Sequence, residues 1–277
     1  MKNASPFALG LLAVLVIGLV MQIPFDKIFT EDSYSTFQVE YIPLTLKMSL
    51  IFLVSLVGIR TLGLKSLSGL SSDYKWTSRL LNLIPAYLFL IGMASFIAKD
   101  LSAIDISNLL LLLLACLMVG FAEEFMFRGF LQPLFIRRYI LKKNGLFLGI
   151  IFPAGFFGAS HLLNLTVNDN ILQVMVQAIY AVLIGFFFGV LLLKTNKLLP
   201  IAITHGLINF FFLFNSLSGL NNLTDLSSES PSDMNLLAQI LQSAIPLIIF
   251  MPLFVIGLIL LRRIEKEQIL EKLEKHE

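Results

Sequence analysis

Three short stretches carry side chains that a lipid environment excludes unless something compensates them. They are Ala122-Glu123-Glu124-Phe125-Met126-Phe127-Arg128, Phe157-Gly158-Ala159-Ser160-His161, and His205-Gly206-Leu207-Ile208-Asn209. Each lies inside a long apolar run, where one ionisable group costs ~3 kcal/mol or more. Adjacent helical residues point about 100° apart, so Glu123 and Glu124 cannot face a single partner. Glu124 and Arg128 stand at i,i+4 with the acid first, the better order for a helical ion pair, and their pairing leaves Glu123 free to face elsewhere. His205 and Asn209 are likewise four apart and share a face. A free carboxylate, a neighbouring ion pair that fixes the helix rotation, and imidazole and amide groups from other helices are the parts that general-base chemistry needs. The plain alternative is packing: a buried ion pair, a second, protonated glutamate, and two histidines satisfied within a bundle. Two histidines and an asparagine beside two glutamates, in a chain with no other deep acids, favour a convergent polar site.

The elements that must hold these groups are membrane helices. Of 277 residues, 57% are hydrophobic and 14% are charged, and the mean hydropathy is +0.87. A water-soluble domain has about a quarter of its residues charged, so this surface is built to meet lipid. Runs long enough to cross about 30 Å of hydrocarbon fall near 6–24, 41–59, 80–98, 107–135, 146–165, 171–193, 198–217 and 236–261. The expected fold is therefore all-α, a single polytopic bundle of about eight spans over 1–277. The first run is read as a retained helix, because no small-residue cleavage site follows it. Lys47 is near enough to the outer end of its span to snorkel. The single Cys116 has no partner for an intrachain disulfide.

Sixteen of the twenty Lys and Arg residues fall in every second loop, and the loops between them are acidic. The positive-inside rule then places both termini in the cytoplasm. The outer segment from Ser218 to Asn235, with Pro231 as a breaker, reads as a flexible loop. The tail from Arg262 to Glu277 reads as a solvated cytoplasmic helix, with Glu271 and Lys275 at i,i+4. No Gly-rich phosphate loop and no basic, aromatic-interleaved patch for nucleic acid is present. Straight helices would set Glu123, His161 and His205 about 18, 22 and 10 Å from the inner ends of their spans, three depths that do not meet.

Glu123-Glu124-x-x-x-Arg128, Phe157-x-x-x-His161 and His205-x-x-x-Asn209, in this order on three membrane helices, resemble the three motifs of the CPBP intramembrane endopeptidases. That family includes the type II CAAX prenyl proteases and bacterial bacteriocin-processing or abortive-infection-like proteins. The resemblance runs from about 109 to 217, within an expected catalytic core of about 107–217, and every motif position is matched. It implies a glutamic peptidase of the cell membrane that needs no cofactor. Glu123 would activate water, Glu124 and His161 would orient it, His205 and Asn209 would donate to the oxyanion, and Arg128 would hold Glu124, with Phe157 in support. The implied partners are membrane lipid and a peptide or membrane-protein substrate; neither substrate identity nor oligomeric state follows.

Three other readings use the same residues. A zinc peptidase could take one Glu and two His as ligands, although no H-E-x-x-H is present. A scaffold or bacteriocin immunity factor could use the same cavity without cutting. An ion-coupled transporter would also explain deep charges, but no repeat or pair of broken helices accompanies them.

Overall fold

The computed structural model of the chain describes residues 5–70, 92–93, 104–217 and 236–274. The expected third span, 80–98, and the outer loop, 218–235, lie outside the described residues except for Gly92 and Met93. Every regular element of the described chain is helical: α1 (Pro6–Met21), a 3-10 turn (Phe25–Lys27), α2 (Thr36–Thr61), α3 (Ile106–Glu124), a π-helical turn (Phe125–Leu131), α4 (Gln132–Tyr139), α5 (Gly145–His161), a 3-10 segment (Leu162–Thr166), α6 (Ile171–Thr195), α7 (Leu198–Leu213), a 3-10 turn (Phe214–Ser216), α8 (Leu236–Leu261) and α9 (Lys266–Glu274). Among the described residues, six helical stretches are long and apolar enough to cross a membrane, and α1 is a shorter apolar helix. The protein is thus a multi-pass, all-helical membrane bundle.

Local chemistry sets several helix ends. Ser35 and Gln38 form a reciprocal capping box that starts α2 five residues before the expected span. Asp105 caps α3 by accepting from the Ser107 backbone N–H and hydroxyl, both at 2.7 Å. Those bonds hold the exposed Asp105 carboxyl below its usual range. Its capping therefore operates above the ordinary carboxylate pKa and is lost as pH falls through the lowered value. Asn196 ends α6 in the left-handed region, at φ 53°.

In the packing, α3 lies between α2 and α7, and α6 lies between α5 and α8. The two groups meet at the π-helical turn, which touches α2, α5, α6 and α7. Within this turn Gly129 lets its neighbours close in, since a Cβ there would stand 2.8 Å from Ile59 and 3.0 Å from Leu198. The Gly129 carbonyl accepts a 2.5 Å hydrogen bond from Ser68. A widened turn disturbs the regular ladder, and the serine supplies a partner there.

Two expectations need correction. The stretch Ile106–Tyr139 is 34 residues long, about 51 Å at 1.5 Å per residue, so its inner end projects beyond those of its neighbours. Depth counted from that end is misleading: Leu198, the first residue of α7, packs beside Gly129 rather than beside Tyr139. Seven residues up α7 and five or six residues back from Gly129 reach the same level. Second, the tail is no continuous solvated extension. The chain breaks at Arg262–Arg263, and α9 packs back so that Ile269 is buried in a cluster with Leu67, Ile136 and Ile140. Lys275 lies outside the described residues.

The basic loops gather at this end. Arg137 donates to the carbonyls of Leu62 and Gly63, Lys194 to that of Arg263, and the Leu198 N–H to that of Gly69. The loops predicted to share one compartment thus share one end of the bundle.

Candidate active site

The site is organised by a close crossing of α3 and α7. A Cβ on Gly120 would lie 2.4 Å from the Ala202 carbonyl oxygen, and one on Gly206 would lie 2.8 Å from the Leu117 Cα. Two glycines in register let the backbones touch, which drives helix pairing in lipid, where no hydrophobic effect pulls helices together. His205, beside Gly206, is thereby carried onto the two glutamates one turn below Gly120.

His205 bridges the carboxylates. Its Nδ1 stands 2.8 Å from Glu124 Oε1 and its Nε2 stands 3.3 Å from Glu123 Oε2. Arg128 Nη1 lies 3.2 Å from Glu124 Oε1 as an ion pair, although neither Nη1 nor Nη2 is aligned for a hydrogen bond among the described residues. Glu124 and Arg128 are sealed, at 0% and 1% exposure, whereas the Glu123 side chain keeps 19%. The predicted ion pair is present, and Glu123 is the carboxylate with access to space. Glu124 Oε2 is buried without a hydrogen-bond partner among the described residues.

Phe157 is the hub of the aromatic packing. The Arg128 guanidinium lies over its ring at 4.3 Å, a cation–π contact, and the ring meets His161 at 4.8 Å and His205 at 6.0 Å, both edge-on. On the other side Gly185 makes room for the guanidinium, since a Cβ there would come within 2.7 Å of Nη2. His161 Nδ1 is 2.9 Å from the Phe157 carbonyl oxygen. A carbonyl only accepts, so Nδ1 carries the hydrogen, and a neutral ring then has its lone pair on Nε2.

Glu123, His161, His205 and Asn209 line one cavity of about 420 Å³, whose walls are otherwise mostly apolar. All five sequence-predicted groups therefore converge: four at the cavity and Glu124 directly behind it. Such a space, with a carboxylate, two imidazoles and an amide facing it, can activate water and receive a developing negative charge. No group of three or more His, Cys, Asp or Glu side chains is arranged to hold a metal ion among the described residues.

Reading outward from the three motifs missed the packing roles of Gly120, Gly206 and Gly185, which set the distances, and missed Asn164, Gln177 and Tyr180, which line the same cavity. The uncharged polar residues were visible as interruptions of apolar spans, a weaker signal than a charge. The glycines gave only a spacing, whose partner helix could not be known in advance.

The family model described as Type II CAAX prenyl endopeptidase Rce1-like matches residues 105–211. No curated protein and no solved structure matches the chain. The matched segment begins at the cap of α3, ends near the end of α7 and contains all three motifs; it supports the assignment to the CPBP/CAAX protease family and, in general terms, a CAAX-type intramembrane protease.

Proposed function

We propose that the protein is an intramembrane endopeptidase that cleaves a membrane-associated peptide or protein with a water activated by Glu123. The observation that carries the reading is the chain of contacts Arg128–Glu124–His205–Glu123, closed behind and open to a cavity in front. In this reading both carboxylates are ionised and His205 is the imidazolium, with Nδ1–H bonded to Glu124 and Nε2 facing Glu123 at 3.3 Å. Two anions and two cations then balance in a region of low dielectric. Glu124 and Arg128 are positioning residues for His205, and Glu123 faces the substrate water together with the His161 Nε2 lone pair.

In the reaction, water oxygen bonds to the scissile carbonyl carbon while its proton passes to Glu123. That transfer neutralises Glu123 and loosens its hold on His205 Nε2–H as negative charge appears on the carbonyl oxygen. The imidazolium can then donate to the oxyanion, with the Asn209 amide one turn along α7 as a second donor. Collapse of the tetrahedral intermediate breaks the C–N bond, and Glu123 returns its proton to the leaving amine. The cluster gains one positive charge when Glu123 is protonated, and the oxyanion offsets it, so the net charge of site and substrate together is unchanged, which suits a site that water cannot readily reorganise.

The test is Glu123→Gln in purified protein, with an internally quenched, farnesylated peptide ending in a CAAX sequence and its unprenylated copy as probes. The amide keeps shape and still accepts from His205, so the elution profile should be unchanged while cleavage is lost. Cleavage by Glu123→Gln at the unaltered rate would refute the mechanism. Loss of cleavage on chelation that zinc restores would favour the metal-dependent alternative.

A further inference from the structure

The cavity has a second polar surface, one the mechanism leaves without a task. Asn164, on the 3-10 segment immediately after His161, donates from Nδ2 to Gln177 Oε1 at 2.9 Å. Gln177 and Tyr180 lie three apart on α6, on one face, with the Tyr180 ring stacked on Phe250 at 5.3 Å. All three line the cavity that holds Glu123. The arrangement is fixed by the close approach of α5 and α6, where a Cβ on Gly158 would stand 2.6 Å from the Ala178 carbonyl oxygen. That contact sets the end of α5 beside Gln177.

The inventory of the pair is specific. After their mutual bond, Asn164 retains its carbonyl oxygen and one N–H, and the Gln177 Nε2 amide, which also engages the Tyr180 hydroxyl, retains one further hydrogen. Neither residue is charged, so the surface does not recruit an ion. A donor and an acceptor side by side match the alternating N–H and C=O of an extended peptide. A substrate drawn to membrane depth for cleavage leaves its own helix or the water, and each backbone group it exposes costs several kcal/mol unless the enzyme supplies a partner. The rest of the wall is largely apolar and cannot do so.

We infer that the Asn164–Gln177 amide pair is a backbone-recognition subsite, which holds an extended peptide segment beside the Glu123 water. The ligand is a peptide chain, so the inference rests on the proteolytic reading. Asn164 follows His161 by three residues and shares one cavity with Glu123 and His161, which sets this subsite beside the proposed water.

The experiment measures binding, which needs no turnover. A fluorescein-labelled, farnesylated CAAX peptide is titrated against full-length Glu123→Gln protein in nanodiscs, followed by copies N-methylated at one backbone nitrogen at a time near the scissile bond. One such copy should bind about tenfold more weakly, as expected for a lost hydrogen bond in a dry site. Gln177→Leu should weaken the unmodified peptide to a similar degree, yet show no further loss with that copy. If Gln177→Leu does not fold, Asn164→Leu takes its place, because it removes the same platform from the 3-10 side. Losses that simply multiply, or no binding of the unmodified peptide, would overturn the subsite. Coupled binding by a protein that, with Glu123 restored, cuts no probe would preserve the subsite and reject the peptidase reading.

Discussion

Arg128 shows how much of a buried site depends on one pairing. Its guanidinium is held between Glu124 and the Phe157 ring, with Gly185 leaving the space it occupies. Removing it would strand a sealed carboxylate, which typically costs about 3–5 kcal/mol. Arg128→Ala should therefore lower the yield of folded protein and abolish cleavage, whereas Arg128→Lys, which keeps the charge but loses the planar stack, should recover yield more than activity. Folded yield by size-exclusion and cleavage rate by fluorescence check this, and full yield with full rate for Arg128→Ala would remove the ion-pair argument. This pairing was legible from the sequence, because four residues along a helix is one turn whatever the tertiary fold. The bridge made by His205 was not. It joins residues 81 apart, and spacing along one chain says nothing about which helices cross.

That crossing belongs to α3 and α7, and it admits only small residues. A methyl group on Gly120 would meet the Ala202 carbonyl oxygen and the Gly206 nitrogen, both backbone atoms that no rotamer change can move. Gly155, by contrast, has nothing within 4 Å of such a methyl. Gly120→Ala should cost about 1–3 kcal/mol or more and at least tenfold in cleavage, because His205 would be pushed from both glutamates. Gly155→Ala should be tolerated. Equal behaviour of the two variants in thermal unfolding and cleavage would show that the crossing does not position the site. The expected unequal depths failed here for a related reason: hydropathy marks where a helix is apolar, but not how far it projects. A 34-residue stretch containing a π-helical turn needs its neighbours in place before depth can be read.

Across the bundle, composition gave the class, and the basic connections that the loop pattern assigns to one side lie together at the end where α9 folds back, while the compartment that end faces is a prediction. Reporter fusions should give cytoplasmic signals after Lys142, Lys197 and Glu277 and external signals after Asp32, Asp105 and Glu229. A cytoplasmic reading at Glu229 would break the eight-span arrangement. The tail was misread because its apolar positions, Ile269 among them, face a surface that forms only when the loop after α2 and the end of α4 come together. The glycine contact between α3 and α7 has one more consequence, in the response to surroundings. Each helix keeps its own hydrogen bonds in any apolar solvent, but the contact that delivers His205 rests on van der Waals fit alone. A solvent that presses less firmly from the side should loosen the site well before it unwinds a helix. Transfer from bilayer to a short-chain detergent is thus expected to silence cleavage while the circular dichroism spectrum stays helical, and return to lipid should restore it. Were activity and helicity to fall together, the site would be held by the helices themselves and not by the pressure that keeps two backbones in touch.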